Sequence, residues 1–186
     1  MRVYLGPRPL EPELEGQKRL AIRPLASNLE ELVFERRAQC SWPSLGERAD
    51  FVFRYEIFPE RILRSWGEWR GEGRDMRAGD TIVQEAMVPP FPWGVRMLFG
   101  ARVTEVICSL LSVSFSYATL TSHAETGVNS FGLRLEGGEA VAWSTSRAEP
   151  GNALMRLAGP VVMRYADWCK EQAVARMLER FLDGAP

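Results

Sequence analysis

Leu111, Val113, Phe115 and Tyr117 alternate with Ser112, Ser114, Ser116 and Ala118. Side chains alternate across an extended strand with period two, so this stretch predicts a strand with one large apolar face and one small polar face. Phe131, Leu133 and Leu135 repeat the pattern. Val141, Trp143 and Thr145 repeat it again after Glu136-Gly137-Gly138-Glu139, a composition suited to a tight hairpin turn. Apolar strand faces need a cover, and the long helical pattern nearby is residues 152–182. There Ala158, Val162, Tyr165, Cys169, Ala173, Met177 and Phe181 recur at helical spacing, with Asp167, Lys170, Glu171 and Glu179 mainly on the other side. Pro160 either kinks this helix or opens its main part.

Upstream, Thr81 to Val88 predicts a strand that ends at Pro89-Pro90-Phe91-Pro92-Trp93-Gly94, because proline cannot donate to a sheet ladder. Val95 to Ser109 reads as one bent strand or two, with Gly100 as the bend. Phe51, Phe53, Tyr55 and Ile57 alternate and predict a strand. Pro59 sits well at a helix start, followed by Ile62, Leu63, Trp66 and Trp69 at helical spacing up to Gly67 and Gly71-Glu72-Gly73. Arg70 to Gly79 reads as a mobile loop. Ser27 and Glu30 fit a capping box for a short helix to about Arg37, with an extended strand over Leu32 to Cys40 as the alternative. Met1 to Leu5 reads as an edge strand.

These elements define an α+β layout, an antiparallel sheet gripping a long final helix. Residues 1–48 form an arm packed on the domain, and 49–186 form the domain itself. The small residues Ala166, Cys169 and Ala173 near the middle of the helix stripe leave a cavity against the sheet or allow close helix–sheet contact.

The chain of 186 residues carries 23 basic and 24 acidic side chains with no basic run, which argues against a nucleic-acid surface and a polybasic membrane patch. Cys40, Cys108 and Cys169 are odd in number and widely spaced, giving neither a disulfide framework nor a metal site; Cys108 and Cys169 read as small core residues. No signal peptide or membrane-spanning run is visible, so the expectation is a soluble cytoplasmic protein without a cofactor.

The run Phe115-Ser116-Tyr117-Ala118-Thr119-Leu120-Thr121-Ser122-His123, a glycine at 127, Ser130-Phe131-Gly132-Leu133-Arg134-Leu135-Glu136 and Ala142-Trp143-Ser144-Thr145-Ser146-Arg147 together resemble an uncharacterised family of bacteria and plants. Its members carry a G-F-x-Y-G-T-L stretch, a following His, and S-R-P before the last helix. The segment from Phe51 through Trp69 to Ile82 is similar to the start of the START and birch-pollen-allergen-like superfamily. This resemblance covers roughly residues 49 to 182. It implies a helix-grip fold, a curved sheet of six to seven strands around the C-terminal helix, with a hydrophobic cavity between them. Ala118, Val128, Asn129 and Ala148 depart from the family pattern, the middle two at its paired acids.

The candidate site follows. Tyr117 and Trp143 suit a pocket wall with a polar tip, and Trp93 a cavity mouth. His123, the sole imidazole, is either an acid–base group or a loop tie. Arg147 would bind a ligand carboxylate or join helix to sheet through Glu149. Glu85 and Glu105 lie within strands and read as outward-facing. Three functions remain open: a binder of a small apolar or amphipathic molecule, a cyclase- or hydrolase-like enzyme using His123, and a homodimeric interaction module.

Overall fold

The computed structural model describes residues 2–88, 94–157 and 159–184. One antiparallel sheet holds all eight strands. They are β1 (Arg2–Tyr4), β2 (Leu32–Gln39), β3 (Leu63–Gly67), β4 (Thr81–Val88), β5 (Val95–Cys108), β6 (Ser112–Thr119), β7 (Glu125–Glu136) and β8 (Glu139–Pro150). Their order is β2-β8-β7-β6-β5-β4-β3, and β1 pairs with β5. Short helices α1 (Leu14–Lys18), α2 (Asp50–Phe53), α3 (Glu68–Glu72) and α4 (Ala153–Leu157) precede the long α5 (Gly159–Asp183). Pro160 is the second residue of α5, inside the first turn where its missing N–H costs nothing. Ala158 of the expected stripe lies outside the described residues.

The concave face follows from the period-two pattern. Val113, Phe115 and Tyr117 on β6 join Phe131 and Leu133 on β7, and Ala140 and Ala142 on β8, in one core with Ala173, Val174, Met177, Leu178 and Phe181 of α5. Phe115 stands opposite Phe131 across the strand pair, and Tyr117 opposite Asn129.

The convex face has its own small core. Val83 and Leu98 are covered by Leu10, Leu14 and Tyr4 from the N-terminal segment, with Trp66 alongside. Glu85 points outward from β4 as expected, yet is fully buried under this cover. Arg96, Arg64 at 3.1 Å and the Tyr4 hydroxyl at 2.5 Å surround its carboxylate, which answers the cost of burying a charge. Glu105 is exposed.

Four expected elements differ. Residues 32–39 form β2 rather than a helix, because the free edge of β8 offers backbone partners from Leu32↔Ser146 to Gln39↔Glu139. Residues 51–57 are not a strand: Phe51, Val52, Tyr55, Ile57 and Phe58 are all buried, so burial is not one-sided and α2 forms instead. The turn at Pro59 lasts only long enough for its carbonyl to accept from Ile62 and Leu63, after which β3 pairs with β4. The stretch after α3 is tied down, since Arg74 donates to both oxygens of Asp80 at 2.8 and 2.6 Å.

Two smaller corrections follow from the same sheet. The irregularity in β5 falls between Val103 and Glu105, not at Gly100. Gly100 is instead a point of close approach, where a side chain would strike Gln17 and Leu120. Cys108 ends β5 at an exposed position and is no core residue.

Candidate functional site

The C-terminal half of α5 packs directly on the sheet, but its N-terminal half stands over a cavity. β4 contributes Gln84 and Ala86, β5 contributes Met97 and Phe99, and β6 contributes Tyr117. These share the concave face because Ala86 pairs with Met97 and Gln84 with Phe99. The helix supplies Val162, Tyr165, Ala166, Cys169 and Lys170, while Phe58 and Leu63 close one side. The space between these atoms is about 590 Å³ including its open mouth. The cavity proper is about 90 Å³, room for several waters at roughly 10–15 Å³ each. Ala166 lines this space, so the small residues of the stripe leave room here, whereas Ala173, about two turns on, is fully buried in the core.

The polar end is a connected network. The backbone N–H of Glu125 donates to Nδ1 of His123 at 3.0 Å. That nitrogen is therefore the acceptor, and the proton sits on Nε2, 3.2 Å from Oε1 of Gln84. The Gln84 amide donates in turn to the Tyr55 hydroxyl. Tyr117 stands beside Tyr55, with ring centroids 6.2 Å apart, and burial raises the pKa of both phenols. Tyr55 has φ 58, the one non-glycine residue with positive φ among the described residues. A bulky side chain in the left-handed region costs on the order of 1–2 kcal/mol, here offset by the buried bond to Gln84 and packing against Phe58 and Phe115.

His123 is 6% exposed and its ring packs on Phe99 with centroids 4.2 Å apart. Burial, assisted by the positive charges of Lys170 and Arg23, lowers its pKa to about 3. The imidazole is neutral at physiological pH with both nitrogens engaged. Beside it lies the buried Lys170, whose ammonium is 3.4 Å from Asp167 and 3.8 Å from Oε1 of Glu125. Oε1 itself accepts no hydrogen bond among the described residues. Burial raises the Cys169 thiol to about 12, so it is an inert wall rather than a nucleophile.

Among the residues singled out from sequence, Tyr117 and His123 meet at this cavity. Trp143 does not reach it: the register sets it opposite Gly132 on the convex face, where its ring covers Gly132 beside Ser114. Arg147 is also on that face, exposed, with Glu31 rather than Glu149 as its partner at 3.6 Å. Trp93 lies outside the described residues. Gln84 and Glu125 escaped sequence reasoning, and Lys170, expected on the outer side of the helix, is instead 5% exposed and lines the cavity. Gln84 had a signal, a polar residue in phase with Ile82 and Ala86. Lys170 had one too, lying four residues from Ala166 and three from Ala173 on the small-residue stripe.

Among the described residues, no group of side chains could hold a metal ion, and no helix is long and apolar enough to cross a membrane.

A curved antiparallel sheet gripping a C-terminal helix over an apolar cavity defines a START-like, helix-grip protein. The solved structures agree on the fold. A START superfamily protein from Mycobacterium smegmatis matches with a TM-score of 0.54 at 12% identity, covering 83% of this chain and 99% of that one. The di-domain ARO/CYC StfQ from the steffimycin biosynthetic pathway gives 0.54 at 11%, covering 92% of this chain and 53% of that one. Major latex-like protein 151 from Panax ginseng gives 0.50 at 13%, covering 84% and 99%. The chain belongs to the family of DUF1990, a domain of unknown function, whose model matches residues 52–177. No curated protein matches the sequence.

Proposed function

We propose that the protein binds one small, largely apolar molecule in the cavity between its sheet and the N-terminal half of α5. The observation that carries this reading is the composition of the cavity: apolar walls from Phe58, Met97, Phe99 and Val162, with a few convergent polar groups at one end. Ligand sites combine those two features, the walls supplying affinity and the polar groups orientation. The common use of this scaffold for holding small molecules supports the same reading. His123 acts as a brace of the polar end and not as a general base, since its Nδ1 lone pair is taken by the Glu125 backbone.

The test uses N-phenyl-1-naphthylamine, an uncharged dye that brightens in apolar surroundings. Saturable one-to-one enhancement is expected, lost in Ala166→Trp, which fills the cavity from the helix side. No saturable enhancement, or enhancement that survives Ala166→Trp, would overturn the assignment. Native mass spectrometry of the protein purified from cells would then identify a stoichiometric natural occupant.

A further inference from the structure

The charge balance at the polar end restricts what the cavity accepts, an inference that rests on the proposed binding function. One cation lines the cavity among the described residues, Lys170, and two carboxylates already share it: Glu125 at 3.8 Å and Asp167 at 3.4 Å. The sequence has only one other lysine, Lys18, which pairs with Glu68 at 2.7 Å on the N-terminal segment. His123 supplies no second positive charge, because its ring donates to Gln84 and accepts from Glu125 as a neutral imidazole. Arg23 is the other nearby cation, and it is committed to the carbonyls of Gly151 and Thr121 and the hydroxyl of Thr126. A ligand carboxylate would thus be a third anion around one ammonium in a largely desolvated place. It could pair with Lys170 only by competing with Glu125, itself 6% exposed, for the one counter-charge Glu125 has among the described residues.

The hydrogen-bonding groups left over point the other way. Glu125 lines the cavity, and its buried Oε1 has no hydrogen-bond donor among the described residues. Tyr117 also lines the cavity, and its phenol can donate a proton. The polar end thus offers an unmet acceptor, Oε1 of Glu125, together with donors, the Tyr117 phenol and the N–H groups of Lys170 beyond its one hydrogen bond to Asp167. A hydroxyl group satisfies both at once, since it donates through its hydrogen and accepts through its oxygen.

We propose that the ligand is an uncharged apolar molecule ending in a hydroxyl, which donates to Glu125 and accepts from Tyr117, and that carboxylates are rejected. Four probes of one shape separate the terms at pH 7: naphthalene, 2-naphthol, 2-naphthoate and 2-(aminomethyl)naphthalene, with dissociation constants from equilibrium dialysis. The naphthol is expected to bind on the order of tenfold tighter than naphthalene, and the naphthoate more weakly than naphthalene. Tyr117→Phe and Glu125→Gln should each shrink the naphthol-to-naphthalene ratio severalfold. Glu125→Gln should also raise naphthoate affinity by releasing Lys170. A naphthoate or aminomethyl probe tighter than the naphthol, or a naphthol equal to naphthalene, overturns the hydroxyl assignment while leaving the cavity as a binding site. Failure of all four probes overturns the binding function itself, and this inference with it.

Discussion

The two halves of α5 face the same sheet and do opposite things. From Ala173 onward, the inward residues Val174, Met177, Leu178 and Phe181 are buried against Val113, Phe115, Phe131 and Leu133, large side chains on both sides of the contact. Toward the N-terminus the sheet still presents large rings, Phe99 and Tyr117, but the helix answers with Val162, Ala166 and Cys169. The mismatch in volume leaves space. Polar groups then gather where the apolar filling stops: Gln84, His123, Glu125 and Lys170 all sit at the open half. One helix therefore fastens the fold with its last three turns and stands over a cavity with the rest. In the closed half, volume and stability are linked; in the open half they are not.

Removing volume from the closed half should have the largest effect. Phe181→Ala deletes a fully buried ring, and a cavity of that origin costs about 3–5 kcal/mol. Urea unfolding should show stability falling by that amount, through a lower midpoint at unchanged slope, and a loss under about 1 kcal/mol would show that the closed half is not close-packed. Adding volume is the sharper comparison. Ala173→Leu must force its new atoms into a packed core and should cost about 1–3 kcal/mol. Ala166→Leu grows into the cavity and should cost less than about 1 kcal/mol, while excluding N-phenyl-1-naphthylamine. Equal costs at the two positions would erase the distinction between the halves.

Much of this division was legible in sequence, and the reasons for the failures are physical. The strands β4, β6, β7 and β8 read correctly because each has one face in the concave core. The small residues at Ala166 and Cys169 marked the cavity, although Ala173, in the same run, packs tightly. Residues 51–69 misled because Phe51, Val52, Tyr55 and Ile57 are buried from several directions, which breaks both simple periodicities. Trp143 misled because the apolar-looking face of β8 is the convex one, while the concave positions hold the small Ala140, Ala142 and Ser144. Gln84, Glu125 and Lys170 were hidden for another reason. Each is an ordinary surface residue by type; the phase of Gln84 and Lys170 with apolar neighbours hints at burial, but the pairing of Gln84 with Tyr55 and His123, and of Lys170 with Glu125, arises only once the sheet closes.

The smallest expected effect probes the open half through its imidazole, and the single histidine makes the measurement clean. In the folded protein the His123 pKa is lowered to about 3 by burial and by Lys170 and Arg23; in the unfolded chain it returns to about 6.5. Between those values the unfolded state binds a proton that the folded state refuses. Stability is therefore full above about pH 6.5 and is lost as the pH falls through that value toward 3. From pH 8 to pH 6 the loss should be about 1 kcal/mol, over a range where carboxylates with ordinary pKa values stay ionised. Urea titrations at the two pH values measure it, and His123→Gln should flatten the difference even if it lowers stability at both. A wild-type protein equally stable at pH 8 and 6 would mean that His123 takes up its proton in the folded state. The charge balance at the polar end would then shift by one, and a carboxylate ligand would regain a partner.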